Sequence, residues 1–308
     1  MSTVQVLLRT NAREWVHLLG KALPGHLVIE DALQASSGIS YVVTGKPPAG
    51  AIQALGPVDA VFSVNAGIEV LLEPGIVPDG VPIVRMVDDG LAAGMRDWVL
   101  ATTLAWHRNL FAYDKAQRES RWSPRPERLA SERTICMLGA GHLSAPIAML
   151  LARIGFAVRC WSRTPKQIPG VDCQSGADGL VPAVHGADIL INLLPLTPST
   201  ENILDATLLR RLAPGGVLIN AGRGRHLVDE AVMTLLDEGH LSAAFLDVFR
   251  EEPLPPEHPF WRHPGVHVSP HAAAPTHART AVSAIAENIL QFEAGGRLRH
   301  VVDRTRGY

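Results

Sequence analysis

Six short apolar runs dominate the second half of the chain: Thr134 to Leu138, Ala157 to Trp161, Ile189 to Leu194, Val217 to Asn220, Ala243 to Val248 and Val266 to Ser269. Each is close to continuously hydrophobic, where a strand with one wet face would alternate. Strands covered on both faces belong to parallel sheets with helices on each side, and the stretches between these runs suit helices. The pattern excludes an all-helical bundle and a sandwich with a solvated face, and predicts a doubly wound α/β sheet. Between the runs, Asp205 and Gly215 flank one helix, while Asp229 can cap the next and Gly239 can end it.

Before residue 134 the rhythm is looser. Runs at Val4 to Leu8, Leu27 to Ile29, Tyr41 to Val43, Ala60 to Ser63 and Ile83 to Arg85 are bounded by Gly, Pro or Asp and read as five further strands. From Leu91 to Phe111 apolar residues, Trp98, Leu104 and Trp106 among them, recur at helical spacing and predict one long helix linking two units. Polar residues take over from Asp114 to Arg133, with Trp122, Pro124 and Pro126 inside, and mark a boundary segment. Its cations, Arg118, Arg121, Arg125, Arg128 and Arg133, interleave with Glu119, Glu127 and Glu132 and read as a solvated face. A last helical stretch, Thr276 to Glu293, is expected to return to the first unit. At 308 residues, about twice one ordinary domain, the chain has the length for both units.

With 28 Lys+Arg against 30 Asp+Glu, the formal charge of -2 gives no pull toward a polyanion, so nucleic acid is not an expected partner. Cys136, Cys160 and Cys173 cannot all pair and none has a two-residue metal or redox spacing, which fits a reducing compartment. The opening residues show no basic, then apolar, leader. The longest uncharged run, Thr134 to Ala152, is broken by Gly139, Gly141, His142 and Pro146. Neither a secretory signal nor a membrane span is expected, and a cytoplasmic protein is the resulting reading.

The first of the six runs leads into Cys136-Met-Leu-Gly-Ala-Gly-His-Leu-Ser144, a glycine-rich turn after a strand and before a helix, as in a Rossmann dinucleotide fingerprint. Gly139 makes the tight turn, Gly141 lets the backbone approach a pyrophosphate, and the amides of His142 and Leu143 at the helix start face its charge. Ser144 stands where a third glycine is usual. At the end of the next strand an acidic residue would grip a ribose 2′-hydroxyl, yet the chain supplies Ser162, Arg163 and Thr164, then Lys166, and no carboxylate. A guanidinium there forks onto a 2′-phosphate and favours NADP over NAD; an ordinary surface arginine is the plain alternative.

Three later runs each lead into a reactive side chain: Arg223, Glu252 and His271. In an open parallel sheet the ligand crevice lies outside the carboxyl ends of the strands, so these three are predicted to meet there. Reduction of a 2-oxo acid needs a cation that holds the carboxylate and polarises the carbonyl, and an acid that protonates the new alkoxide. Arg223 and His271 suit those needs, and Glu252 would hydrogen-bond the imidazole, fix its orientation and stabilise the charged ring. Taken singly, each has a bland reading: a loop cation, an exposed carboxylate in a Pro-rich stretch, a helix cap. No metal site is expected, since Pro264, Gly265 and Pro270 prevent a helix that would align His263, His267 and His271.

These residues resemble the D-isomer-specific 2-hydroxyacid dehydrogenase family, most closely its NADP-dependent glyoxylate/hydroxypyruvate reductase A branch. The likeness runs through Phe62 to Glu69, Val81 to Asp88, Cys160 to Arg163, Asn192 to Pro198, Asn220 to Gly224, Leu246 to Pro255 and Ser269 to His271. It implies a Rossmann-type dinucleotide-binding domain of residues 98–270 and a smaller flavodoxin-like α/β substrate domain of residues 1–97 and 271–308. It further implies that Arg223 orients the substrate, Glu252 supports, and His271 donates the proton. The amides of Ala66 and Gly67 would help hold the substrate carboxylate, and Leu194, Pro195, Ala221, Gly222 and Asp247 would line the nicotinamide half of the cofactor. The implied activity is NADPH-dependent reduction of glyoxylate, hydroxypyruvate or a similar small 2-oxo acid to the D-2-hydroxy acid by a homodimer. Alternatives are a dehydrogenase for a bulkier 2-oxo acid and a non-catalytic NAD(P)H-sensing regulator. Asn65 replaces a small residue frequent in the family, and no tryptophan stands between Thr44 and Pro48.

Overall fold

The computed structural model, which describes residues 2–30 and 38–307, turns the apolar runs into two separate all-parallel sheets. Each belongs to its own unit: Met1–Ala92 with Thr276–Tyr308, and Ala93–Pro275.

In the first unit β1 (Thr3–Leu7), α1 (Ala12–Ala22), β2 (Leu27–Glu30), β3 (Ile39–Thr44), β4 (Ala60–Ser63) and β5 (Ile83–Val84) form a sheet of order β2-β1-β3-β4-β5. That is the flavodoxin-like order. All four residues of β4 are buried, so both of its faces are covered. Val42, Val61, Ile68, Leu71, Ile83 and Val302 build one core cluster of this unit.

In the second unit α2 (Asp89–His107), which begins just before it, leads to α3 (Leu110–Arg118) and then to β6 (Thr134–Leu138), α4 (Ser144–Ile154), β7 (Ala157–Ser162), β8 (Asp172–Ser175) and α5 (Gly176–Val184). There follow β9 (Ile189–Asn192), α6 (Ala206–Leu209), β10 (Gly216–Asn220), α7 (Asp229–Asp237), β11 (Leu241–Leu246) and β12 (Val266–Val268). The sheet order is β12-β11-β10-β9-β6-β7-β8. Counted within the unit, the fourth strand lies beside the first, so the winding reverses between β6 and β9 as in a dinucleotide-binding sheet. Period-two geometry explains the continuous hydrophobicity. Ile135, Met137, Ile189, Ile191, Val217 and Ile219 point into one core, while Cys136, Leu138, Leu190 and Leu218 point into the core on the opposite face. Helix α8 (Ala278–Glu293) then returns to the first unit and packs on α1, with His26 Nε2 at 3.0 Å from Glu293 Oε2.

Several expectations need correction. The single helix from Leu91 to Phe111 is two, because Asn109 adopts a left-handed φ of 59° between α2 and α3. Asp114 to Arg133 is no domain boundary but lies inside the second unit, and the division falls a few residues outside residues 98–270. Packing gives the reason: Met95 and Val99 share a core with Ala273, and a Cβ on Gly94 would stand 3.5 Å from Ala274 Cα. His271 consequently belongs to the second unit. Arg133 is not a solvated cation, since its guanidinium lies 4.4 Å from the Trp106 ring centroid and its side chain is 13% exposed. Asp229 is the first residue of α7 rather than its cap, and its carboxylate faces His258 at 3.5 Å. Asp205 does cap α6, accepting from the Leu208 N–H at 2.8 Å. Strand β8 has no apolar run to announce it: Asp-Cys-Gln-Ser is a half-exposed edge strand.

His267 in β12 stacks on Phe245 with ring centroids 4.4 Å apart and lies 4.5 Å from Phe111. Burial pushes its pKa below the ordinary 6.5. The unfolded chain therefore takes up a proton first, so stability held above the ordinary value is lost as the pH falls toward the lowered one. His267→Phe should flatten this slope in urea denaturation as the pH falls through and below the ordinary histidine value. A slope equal to that of the parent chain would show that another group carries the effect.

Candidate active site

Strands β10, β11 and β12 are neighbours, so the loops leaving their carboxyl ends emerge together. Arg223 follows β10, Glu252 follows β11 and His271 follows β12. The Glu252 Oε2 atom lies 2.7 Å from His271 Nδ1, and Oε1 accepts the Phe249 N–H at 3.0 Å. With Nδ1 held by the carboxylate, Nε2 is the nitrogen left to act on a ligand, and the imidazole side chain is 53% exposed.

A deeper carboxylate fixes the backbone under that ring. His271 holds a left-handed φ of 51°, a conformation that costs about 1 kcal/mol or more for a residue other than glycine. Its N–H donates to the Asp247 carbonyl at 2.8 Å. The Asp247 side chain, 1% exposed, accepts from Ser269 Oγ at 2.6 Å, the Ala272 N–H at 2.9 Å and the Ala273 N–H at 3.0 Å. Asp247 was expected beside the cofactor; in this structure its carboxylate grips the turn that presents His271.

The arginine loop is held by side chains to which the sequence reading assigned no role. Asn192 and Asn220 end β9 and β10 in direct register, and Asn192 Nδ2 donates to Asn220 Oδ1 at 2.9 Å. Asn220 Oδ1 also accepts the Gly222 N–H at 3.2 Å, and Asn192 Oδ1 accepts the Leu194 N–H at 3.2 Å. The Arg223 guanidinium donates from Nη1 to the Gly222 carbonyl at 2.7 Å. A Cβ at Gly224 would fall inside the Phe249 carbonyl, so only glycine lets the arginine loop close onto the turn that Glu252 anchors. The signal in the sequence was that two apolar strands, Ile-Leu-Ile-Asn and Val-Leu-Ile-Asn, both end in the same amide.

At the β6 end, Gly139 has a φ of 111° and its N–H donates to the Trp161 carbonyl at 2.8 Å. A Cβ there would press on Ser144 Oγ at 3.0 Å, which shows how the buried serine fills the third-glycine place. Gly141 meets no chain atom within 4 Å of where a Cβ would stand, so the space above it is open. That cradle, at the start of α4 and beside the point where the winding reverses, fits a pyrophosphate, with His142 and Leu143 at the helix entry. At the β7 end Ser162 Oγ donates to the Thr164 carbonyl at 2.8 Å, and Arg163 and Thr164 are exposed. Leu194 is buried and Pro195 exposed after β9; Ala221 and Gly222 are both buried after β10. Ala66 and Gly67 lie in the first unit after β4, in a turn where Ser63 Oγ donates to the Asn65 carbonyl at 2.9 Å. Among the described residues no group of three His, Cys, Asp or Glu could hold a metal ion, and no helix is long and apolar enough to cross a membrane.

Residues 100–273 match the family described as D-isomer specific 2-hydroxyacid dehydrogenase, NAD binding domain. The chain is 42% identical over 303 residues to a glyoxylate/hydroxypyruvate reductase A from Serratia proteamaculans, covering 97% of each protein. Its structure is similar to that of an NADPH-dependent glyoxylate/hydroxypyruvate reductase from Sinorhizobium meliloti in complex with NADP and sulfate, with a TM-score of 0.95 and 37% identity over 100% of both chains. A D-isomer specific 2-hydroxyacid dehydrogenase from Xanthobacter autotrophicus in complex with NADPH and MES gives the same TM-score of 0.95 at 35% identity, covering 99% of each.

Replacing Asp247 by Ala leaves three donors without their charged acceptor. Asp247→Ala should lower stability by about 3 kcal/mol or more in urea denaturation and loosen the His271 turn to hydrogen exchange. Unchanged exchange at Ala272 and Ala273 would show that the turn holds itself.

Proposed function

The chain belongs to the D-isomer-specific 2-hydroxyacid dehydrogenases, and from that premise we propose that it uses NADPH to reduce glyoxylate, hydroxypyruvate or a similar small 2-oxo acid to the D-2-hydroxy acid. The observation that carries this is the 2.7 Å contact between Glu252 and His271, set beside a glycine-closed arginine loop. NADPH, when bound, supplies the hydride that reduces the carbonyl carbon.

The rest falls to side chains of this protein. Arg223 pairs with the substrate carboxylate and draws electron density toward the carbonyl oxygen, favouring the charge that grows there in the transition state. His271 donates its Nε2 proton to that oxygen as it becomes an alkoxide, keeping the Nδ1 proton toward Glu252. The half-exposed ring then regains a proton from solvent. Gly139, Gly141, His142 and Leu143 hold the pyrophosphate; Ser162, Arg163 and Thr164 take the 2′-phosphate; Leu194, Pro195, Ala221 and Gly222 flank the nicotinamide, with Asp247 beneath the histidine turn. Three free thiols fit a cytoplasmic setting. The exposed apolar side chains of Leu110, Phe111, Trp122 and Leu129 suit a homodimer, which sedimentation equilibrium would read as twice the chain mass.

The test follows loss of NADPH with a panel of 2-oxo acids of increasing size. Turnover of the small ones is expected, and His271→Ala should lose about a hundredfold or more in kcat while NADPH still binds. Saturable NADPH binding with no turnover of any oxo acid would favour a sensor instead. Arg163→Ala should weaken NADPH by about 1.5–3 kcal/mol and leave NADH nearly unchanged, as read by fluorescence titration. Equal losses for both cofactors would contradict the 2′-phosphate assignment.

A further inference from the structure

His226 lies one turn past Arg223, is fully buried, and carries none of the roles above. Two donors converge on its Nδ1: the Asn192 Nδ2 group at 2.9 Å and the Arg223 backbone N–H at 3.1 Å. An atom facing two N–H groups must offer a lone pair, so the ring hydrogen sits on Nε2. That nitrogen lies 3.2 Å from the Pro195 carbonyl, which can only accept. The ring therefore presents an acceptor on one edge and a donor on the other. Its backbone is fixed as well, the His226 carbonyl accepting the Leu204 N–H at 2.9 Å. The Asn192 to His226 contact passes close over Gly222, where a Cβ would stand 2.8 Å from Asn192 Nδ2 and 3.0 Å from His226 Nδ1.

We propose that neutral, Nε2-protonated His226 is a positioning residue that locks the Arg223 loop to the Leu194–Pro195 loop, setting where the guanidinium is launched and where the nicotinamide-side carbonyl lies. The proposal rests on the assignment of Arg223 to the substrate and of Pro195 to the nicotinamide. Two loops meet at this ring, and an apolar residue of equal volume would leave the Asn192 and Arg223 N–H groups without their shared acceptor and the Pro195 carbonyl with only the Thr200 hydroxyl, at 2.8 Å. A merely space-filling histidine would need neither edge.

The two edges can be separated by substitution. Asparagine places a polar atom where Nδ1 stands, so His226→Asn keeps the acceptor for Arg223 and loses the bond to Pro195. Glutamine places its amide where Nε2 stands, so His226→Gln keeps Pro195 and loses Arg223 and Asn192. In the intact enzyme His226→Gln should lose about tenfold to a hundredfold in kcat/KM for glyoxylate with the NADPH dissociation constant within about threefold of the parent. His226→Asn should do the reverse, weakening NADPH by about tenfold and keeping kcat/KM for glyoxylate at saturating NADPH within about threefold. Nitrogen NMR of histidine-labelled protein should show His226 as the neutral Nε2–H tautomer, an observation that needs no turnover.

Loss of both quantities in both variants, in step with a lowered melting temperature, would reduce His226 to a packing residue and overturn the proposal. So would a His226→Leu enzyme with parental kcat/KM, or an NMR signature of the Nδ1–H tautomer or the charged ring. If the parent chain binds NADPH and turns over no oxo acid, the functional reading fails by itself. The clamp is then decided by the NADPH dissociation constants of the two variants and by the tautomer.

Discussion

The backbone of Gly224 lying against the carbonyl of Phe249 is the contact on which the site depends. It joins the loop after β10 to the turn after β11, and the Phe249 N–H is in turn the donor that holds Glu252. Glu252 then holds the His271 ring, whose backbone Asp247 holds from below. One bare backbone position thus sets the spacing between a cation and an acid–base pair that lie on different loops. Each link is a backbone contact or a short hydrogen bond, the last of them joining the exposed side chains of Glu252 and His271.

Polar groups are sunk into this end of the sheet, and each has a counterpart. Asp247 has three donors, the Asn192 and Asn220 amides satisfy each other and their own loops, and the His226 ring lies between two N–H groups and the Pro195 carbonyl. Without those partners, burial of a carboxylate and two amides would cost several kcal/mol; with them it gives rigidity where the strands end and hydrophobic packing gives out. The apolar layers on both faces of the sheet hold the strands, and the amides hold what leaves them.

Much of this was legible in the residues. The winding of the second unit followed from strands that never alternate, since both faces of β6, β9 and β10 are covered. The glycine turn, Ser162 with Arg163, and the trio Arg223, Glu252 and His271 all stand at strand ends, where spacing along the chain is enough to place them. What escaped depended on neighbours across the sheet. Asn192 faces Asn220 only because β9 lies beside β10, and His226 reaches Asn192 only because the loop folds back over Gly222. β8 escaped because an edge strand needs no apolar run, and the break at Asn109 because one left-handed residue interrupts a helix without disturbing its hydrophobic spacing.

The second unit is inserted between two parts of the first, and Gly94 lies against Ala273 and Ala274 at its entrance and exit. Chain synthesis feels that arrangement. As the polypeptide leaves the ribosome, the five-stranded sheet waits for α8, whose Ile285, Ala286 and Ile289 are buried in the first unit, until the whole second unit has been made. The inserted unit, continuous in sequence with its ends side by side, can mature first and bring the two flanking segments of the first unit together.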